Sequence, residues 1–166
     1  MNLAMRTATE DDLPRIVAIY NETISAHTIT ADTEPVTVAQ REEWFHEHTP
    51  QQWPLLVGEL DGQVVAWVSL SPYNRRPAYA ATAEISVYID SAHRGRHIGS
   101  KILEYVNDHV TDYGITAVVA LIISANRPSR RLFAKFGYGE WGRLPKVMRF
   151  GADYQDLVLM GKRFDE

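Results

Sequence analysis

Between Thr82 and Ser100 the chain reads TAEISVYIDSAHRGRHIGS, and the chemistry this stretch suggests is anion binding. Gly95 and Gly99 sit among Arg94, Arg96 and His97, and helical spacing starts at Ile98, where Ile98, Ile102, Leu103, Val106 and Val110 recur. The first N–H groups of a helix have no internal partner and its dipole favours negative charge. Glycines at such a junction let a phosphate approach the main chain, and two arginines add positive charge. The preceding Thr82 to Ile89 alternates, with Glu84, Ser86 and Tyr88 on one face and Ile85, Val87 and Ile89 on the other, as a strand does.

Other elements must hold that junction in place. Leu3 to Ala8 is expected as a first strand, followed by a helix through Leu13, Ile16, Val17 and Tyr20, with Thr9 as its cap. Asn21 to Pro35 is polar, threonine-rich and without a period, which suits a loop over a surface or site. Thr37 to about His48 reads as a second helix, with Gln40 placed for a capping box. Leu55 to Leu60 and Val64 to Leu70 flank Asp61-Gly62 and predict a hairpin. Ser71 to Ala81 interrupts regular structure. Thr116 to Ile123 has the near-continuous apolar character of a buried strand, Pro128 to about Phe136 is helical with Gly137 at its end, and Val158 to Lys162 supplies a last strand. The sum is a mixed α/β fold, one domain over residues 1–166.

Composition sets limits. At 166 residues, 45% hydrophobic and 23% charged, the chain suits one globular core. A net charge of −4 argues against a nucleic-acid surface. With no cysteine there is no disulfide, thiolate nucleophile or thiolate metal site. No apolar run approaches the roughly 20 residues of a spanning helix and the N-terminal segment lacks a secretion-signal core, so a soluble cytoplasmic protein without a membrane partner is expected. His46 and His48 are two apart near a helix end and cannot share a face as ligands, so no metal is expected. Trp44, Trp53, Trp67 and Trp141 are read mainly as packing residues, and Phe133 and Phe136 as core.

Arg94-Gly95-Arg96-His97-Ile98-Gly99, after an EISVYI strand, resembles the phosphate-binding signature of the GNAT superfamily of acyl-CoA-dependent N-acetyltransferases, written as Arg or Gln, two residues, Gly, one residue, Gly or Ala. Tyr79 to Tyr88 resembles the AY-x-x-TAE-x-SVY stretch of the phosphinothricin acetyltransferase branch. Asn126-Arg127-Pro128-Ser129, with Leu132 and Phe136-Gly137-Tyr138, resembles that branch's second signature. Ile19-Tyr20-Asn21 and Thr30 to Pro35 match as well, so the likeness covers nearly the whole chain.

That resemblance implies a GNAT fold, a central mixed sheet with helices on both faces, and acetyl-CoA as cosubstrate. Its pyrophosphate would meet main-chain N–H groups from Gly95 to Ser100, with Arg94 and Arg96 adding charge. Its outer phosphate would meet Arg127, Arg130, Arg131 or Lys135. Main-chain groups of Val87 and Ile89 would pair with the pantetheine arm where two parallel strands splay apart, and Asn126 and Ser129 would assist from the side. Glu84 matches the glutamate assigned as general base, needed because an ammonium has no lone pair to attack with; its alternatives are a solvent-facing or arginine-paired carboxylate. The oxyanion would be held by the N–H of Val87 or Tyr88. Arg75, Arg76, Tyr73 and Tyr79 either clamp a substrate carboxylate or form a solvated loop.

Three departures stand out. His97 occupies the signature's first glycine, tolerable if its backbone angles stay allowed and its Cβ points away from the phosphates. Phe133 occupies the position of a tyrosine that protonates the departing thiolate in many relatives, and phenylalanine has no proton to give. Ala152 to Asp156 replaces the branch's usual Gly-Arg-Trp-His-Asp string. The resemblance implies a homodimer acetylating a small amino-acid-like amine such as phosphinothricin or methionine sulfoximine. A protein or peptide N-acetyltransferase and a non-catalytic acetyl-CoA-binding module remain alternatives.

Overall fold

The computed structural model describes residues 2–165. Strand β1 (Ala4–Thr7) is followed by a short 3-10 turn (Glu10–Asp12) that runs into helix α1 (Leu13–Asn21). Thr9 is the N-cap of this turn, as expected, in a capping box with Asp12, whose carboxylate accepts from the Thr9 N–H at 2.7 Å. Helix α2 (Val38–His46) begins as predicted: Thr37 Oγ1 accepts from the Gln40 N–H at 3.1 Å and Gln40 Oε1 accepts from the Thr37 N–H at 2.9 Å. Strands β2 (Leu55–Leu60) and β3 (Gln63–Pro72) form the expected hairpin. Asp61 and Gly62, with φ of 51° and 76°, take the left-handed angles of a tight two-residue reversal.

The chain then runs through β4 (Thr82–Ile89), α3 (Ile98–His109), β5 (Ala117–Ile123), α4 (Arg127–Lys135), β6 (Gly139–Phe150) and β7 (Asp153–Arg163). All seven strands form one mixed sheet in the order β1-β2-β3-β4-β5-β7-β6, whose β4–β5 pair is parallel. Two apolar clusters cover its faces. Ile16, Ile19 and Tyr20 of α1 pack on Leu55, Val57 and Trp67. On the opposite face Ile98, Ile102, Leu103 and Val106 of α3 and Phe133 of α4 pack on Val68, Leu70, Ile85, Val118, Ala120 and Ile122. These are the helical layers on both faces of a mixed sheet that the family resemblance implied.

Strand β6 was not legible in the sequence, and β7 begins five residues before the predicted Val158. The reason is physical: β6 is the sheet's edge strand, mostly exposed, carries Pro145, and breaks register twice, at Glu140/Gly142 and at Leu144/Met148. Bulges and proline are what an edge strand tolerates, and they erase the alternation that marks a strand. One packing expectation also changes. Trp141 lies across Gly161, where a Cβ would collide with its ring, yet remains 51% exposed.

Candidate active site

The central feature is a parting of strands. On one side β4 keeps unbroken register with β3, from Ala83 opposite Pro72 to Ile89 opposite Ala66. The ladder is bracketed by Tyr73 N–H to Thr82 carbonyl at 3.1 Å and Asp90 N–H to Val65 carbonyl at 2.8 Å. Since hydrogen-bonded pairs alternate in an antiparallel ladder, the even-numbered residues of β4 spend their N–H and C=O groups on β3. The odd ones, Ile85, Val87 and Ile89, turn theirs toward β5. But β5 pairs with β4 only at Thr82, Ala83 and Glu84, opposite Ala117, Val118 and Val119. Beyond that point β5 follows β7 instead, in register through Ile123. A wedge opens with free main-chain groups of Val87 and Ile89 along it. Tyr88 is excluded as the oxyanion donor by the same alternation, because its N–H belongs to the β3 ladder; Val87 is the candidate that fits.

The wedge widens into a cavity of about 510 Å³. Val87, Tyr88, Ile89, Arg94, Gly95, His97, Ile98, Gly99 and Ser100 line it from one side, Asn126 and Ser129 from the other. Arg96 is the exception among the expected coenzyme residues, being exposed and off this wall. Asn126 caps α4 by accepting from the Ser129 N–H at 3.2 Å. Thr23, Thr28 and Ile29 come from the segment expected to lie as a loop over a surface or site, though the sequence did not single them out; His93, whose Nδ1 is 2.7 Å from the buried carboxylate of Asp90, had no sequence signal. Asp90 is held in turn by Arg15 at 3.0 Å.

His97 is the N-cap of α3 with φ 61° and ψ 20°, and its side chain makes no capping bond. The left-handed angle explains why the signature prefers glycine here. It also leaves the first donors of α3 uncapped at the cavity, as an anion site requires. Gly99 serves a different purpose: a Cβ there would come within 2.8 Å of a Leu132 methyl, so its absence lets α4 close against α3.

Helical periodicity sorts α4 into two faces. Pro128, Ser129, Leu132 and Phe133 look into the 510 Å³ cavity, whereas Arg127, Arg130 and Arg131 line a separate groove of about 360 Å³ with Glu140, Val158 and Met160. The arginines expected to meet the outer phosphate thus line a groove on the other face of the helix from this cavity. Phe133 is core, as expected, but also closes the narrow end of the wedge between Ile85–Tyr88 and Ala120–Ile122.

Glu84 stands where the strands part. It is half-buried, no described group pairs with its carboxylate, and burial pushes its pKa above the ordinary glutamate value. Ser71 is directly opposite on β3. On the same face Tyr88 stacks on Trp67 at 4.7 Å and on Tyr20 at 5.1 Å; burial raises its pKa as well, so it stays a neutral packing phenol. Over this face the 22–37 segment is tied down. Tyr20 bonds Thr30 at 2.6 Å and also Asp32, Arg41 reaches Asp32 at 3.3 Å, and Asn21 makes two 2.9 Å bonds to the main chain of Val36. Arg75 points elsewhere, forming a 3.3 Å pair with Glu47 at the surface, and Tyr79 lies partly exposed beside Tyr73. Neither is among the residues lining the cavity beside β4. Among the described residues no group of three or more His, Asp or Glu side chains is placed to hold a metal.

A family profile described as the acetyltransferase (GNAT) family matches residues 16–138. The chain belongs to the GNAT acetyltransferase family. It is 43% identical, over 96% of its length and 98% of the other's, to a Bacillus subtilis protein provisionally named a phosphinothricin acetyltransferase. It is 30% identical, over 99% of its length and 96% of the other's, to an L-methionine sulfoximine/L-methionine sulfone acetyltransferase of Pseudomonas aeruginosa. Among solved structures, a GNAT phosphinothricin acetyltransferase of Sinorhizobium meliloti in complex with acetyl-CoA superposes with a TM-score of 0.92 at 25% identity, covering 98% of this chain and 89% of that one.

The backbone at His97 yields a stability prediction. A left-handed residue other than glycine costs about 1–2 kcal/mol, against about 0.5–1 kcal/mol for the extra chain entropy of glycine. His97→Gly should therefore raise unfolding stability in urea by up to about 1 kcal/mol; a loss would mean that the imidazole makes compensating contacts.

Proposed function

We propose that this protein transfers the acetyl group of acetyl-CoA directly to the primary amine of a small amino-acid-like substrate, of the phosphinothricin or methionine sulfoximine type. The observation that carries the proposal is the wedge itself. It offers strand-like main-chain partners at Val87 and Ile89, leads to the uncapped N-terminus of α3, and begins at a desolvated carboxylate. A long arm with two amides, ending in a pyrophosphate, fits such a cleft, and the donor set fits each part.

Acetyl-CoA, when bound, supplies an acyl group on a thiol leaving group. The chain does the rest. N–H groups of Ile98, Gly99 and Ser100, with Arg94 beside them, hold the diphosphate; Val87 and Ile89 align the arm, and Asn126 and Ser129 flank it. The Val87 N–H is directed to where negative charge develops on the thioester oxygen. Glu84, on the opposite face of the same strand, takes the proton from the substrate ammonium and frees its lone pair. Phe133 donates no proton at the wedge, and none is obligatory there, because a thiol pKa of roughly 8.5 makes the thiolate a competent leaving group.

The pinned 22–37 segment favours a small amine over a protein terminus, which would need an open groove at the same place. The names of the relatives point the same way. The proposal extends to a cytoplasmic homodimer. Trp141, Leu144, Val147 and Tyr154 are exposed on the β6–β7 hairpin, and a second copy would cover them. Sedimentation should give twice the 18.8 kDa chain mass, whereas a monomer at micromolar concentration would refute the dimer.

A carboxylate base works only when ionised. With the Glu84 pKa raised, kcat/KM for the amine should fall as pH drops, starting above the range where an exposed glutamate titrates. Glu84→Gln should lower kcat by about 10²–10⁴-fold and abolish that acid limb, as read by thiol release. Unchanged turnover with normal coenzyme binding would refute the assignment of the base.

A further inference from the structure

The face of β3 that looks toward Glu84 carries a side-chain chain not accounted for above. Trp67, Ser69 and Ser71 lie opposite Tyr88, Ser86 and Glu84, so Ser69 is a diagonal neighbour of the base. Ser69 is 3% exposed. His48, two residues beyond α2, reaches it: Nε2 is 3.2 Å from Ser69 Oγ, and Nδ1 is 2.8 Å from the Trp44 carbonyl oxygen.

Donor and acceptor roles in this chain are forced. A carbonyl only accepts, so Nδ1 carries a proton. Burial lowers the His48 pKa below the ordinary histidine value, so the ring is neutral near pH 7 and its Nε2 is bare. A bare nitrogen only accepts, so the Ser69 hydroxyl donates to it. A serine has one proton. With that proton given to His48, Ser69 Oγ turns only lone pairs toward β4.

We propose that Ser69 is a second acceptor for the substrate ammonium beside Glu84, and that His48 is the positioning residue that fixes its polarity. The inference rests on the reading of Glu84 as the base. An ammonium has N–H bonds to spare: one proton passes to Glu84, and a second N–H stays bonded to Ser69. That bond holds the nitrogen so that the freed lone pair faces the wedge. A hydroxyl left to rotate would present a proton to the same ammonium and repel it.

The charged groups around His48 bear on this polarity. Glu47 is its neighbour in sequence and is engaged by Arg75 at 3.3 Å, and His46 lies one residue further back. The cavity wall shared with Thr7, Ala8, Phe45, Thr49, Pro50 and Leu55 brings no other titratable side chain. Protonating His48 would make Nε2 a donor, turn the Ser69 proton toward β4 and weaken amine binding.

The test uses full-length protein, saturating acetyl-CoA and the best amine from a panel of L-amino acids and L-methionine sulfoximine. Ser69→Ala should raise the amine KM about tenfold, with kcat and the acetyl-CoA KM changing less than threefold. His48→Leu should do the same. His48→Gln, whose carbonyl can take the Ser69 proton, should recover most of that loss. A Ser69→Ala KM within twofold of the parent overturns the proposal. So does equal impairment of His48→Gln and His48→Leu, which would mean that His48 only packs. If His48→Leu does not fold, Ser69→Ala decides alone. Glu84→Gln is assayed in parallel: loss of kcat there with an unmoved Ser69→Ala KM refutes Ser69 while leaving the base in place, and full turnover there refutes the base itself.

Discussion

The proposed activity depends on β4 and β5 ceasing to pair after Glu84 and Val119. Each strand is bound to a different neighbour, β4 to β3 and β5 to β7, and both of those ladders continue in register past the point where the two strands separate. The sheet is one body at its base and two at its open end. Main-chain donors and acceptors left without a strand partner are costly unless something meets them, and an extended chain with amides is a natural occupant. The parting thus makes a binding site from backbone alone, with side chains needed only at its ends.

Alternation along β4 divides the labour. Odd residues give their main-chain groups to the wedge and their side chains to the core over α3 and α4. Even residues bond to β3 and put Glu84, Ser86 and Tyr88 on the face under α1, α2 and the 22–37 segment. Under the proposed function, coenzyme and amine approach one strand from opposite sides, with Val87 serving the first and Glu84 the second. Burial does the electrostatic work at Glu84: among the described residues no cation pairs with it, so the carboxylate is a stronger base than an exposed one.

Most of the fold was legible because its interior strands and helices carry strong periodicity. The Thr37–Gln40 box, the Asp61-Gly62 reversal and the alternation of β4 predicted their elements closely. That Gly95, Gly99, Asn126 and Ser129 line one cavity was legible as well, since they sit at or just before helix starts, where the physics of free N–H groups is local. What could not be seen was non-local. Edge strand β6 hides behind two bulges, the loop after α1 was legible as a cover but not which of its residues, Thr23, Thr28 and Ile29, line the cavity, and which face of α4 holds Arg127, Arg130 and Arg131 is settled only by what packs beside it. His97 was visible as a departure, but its left-handed backbone was not.

The central claim is that main-chain groups on alternate residues of β4 receive the coenzyme. Amide hydrogen exchange, followed residue by residue by NMR with and without acetyl-CoA, tests it most directly. The account predicts that Val87, Ile89 and the first amides of α3 gain protection of tenfold or more, while Ser86 and Tyr88, already bonded to β3, change little. Protection spread evenly along β4, or none at Val87 and Ile89 under saturating acetyl-CoA, would contradict it.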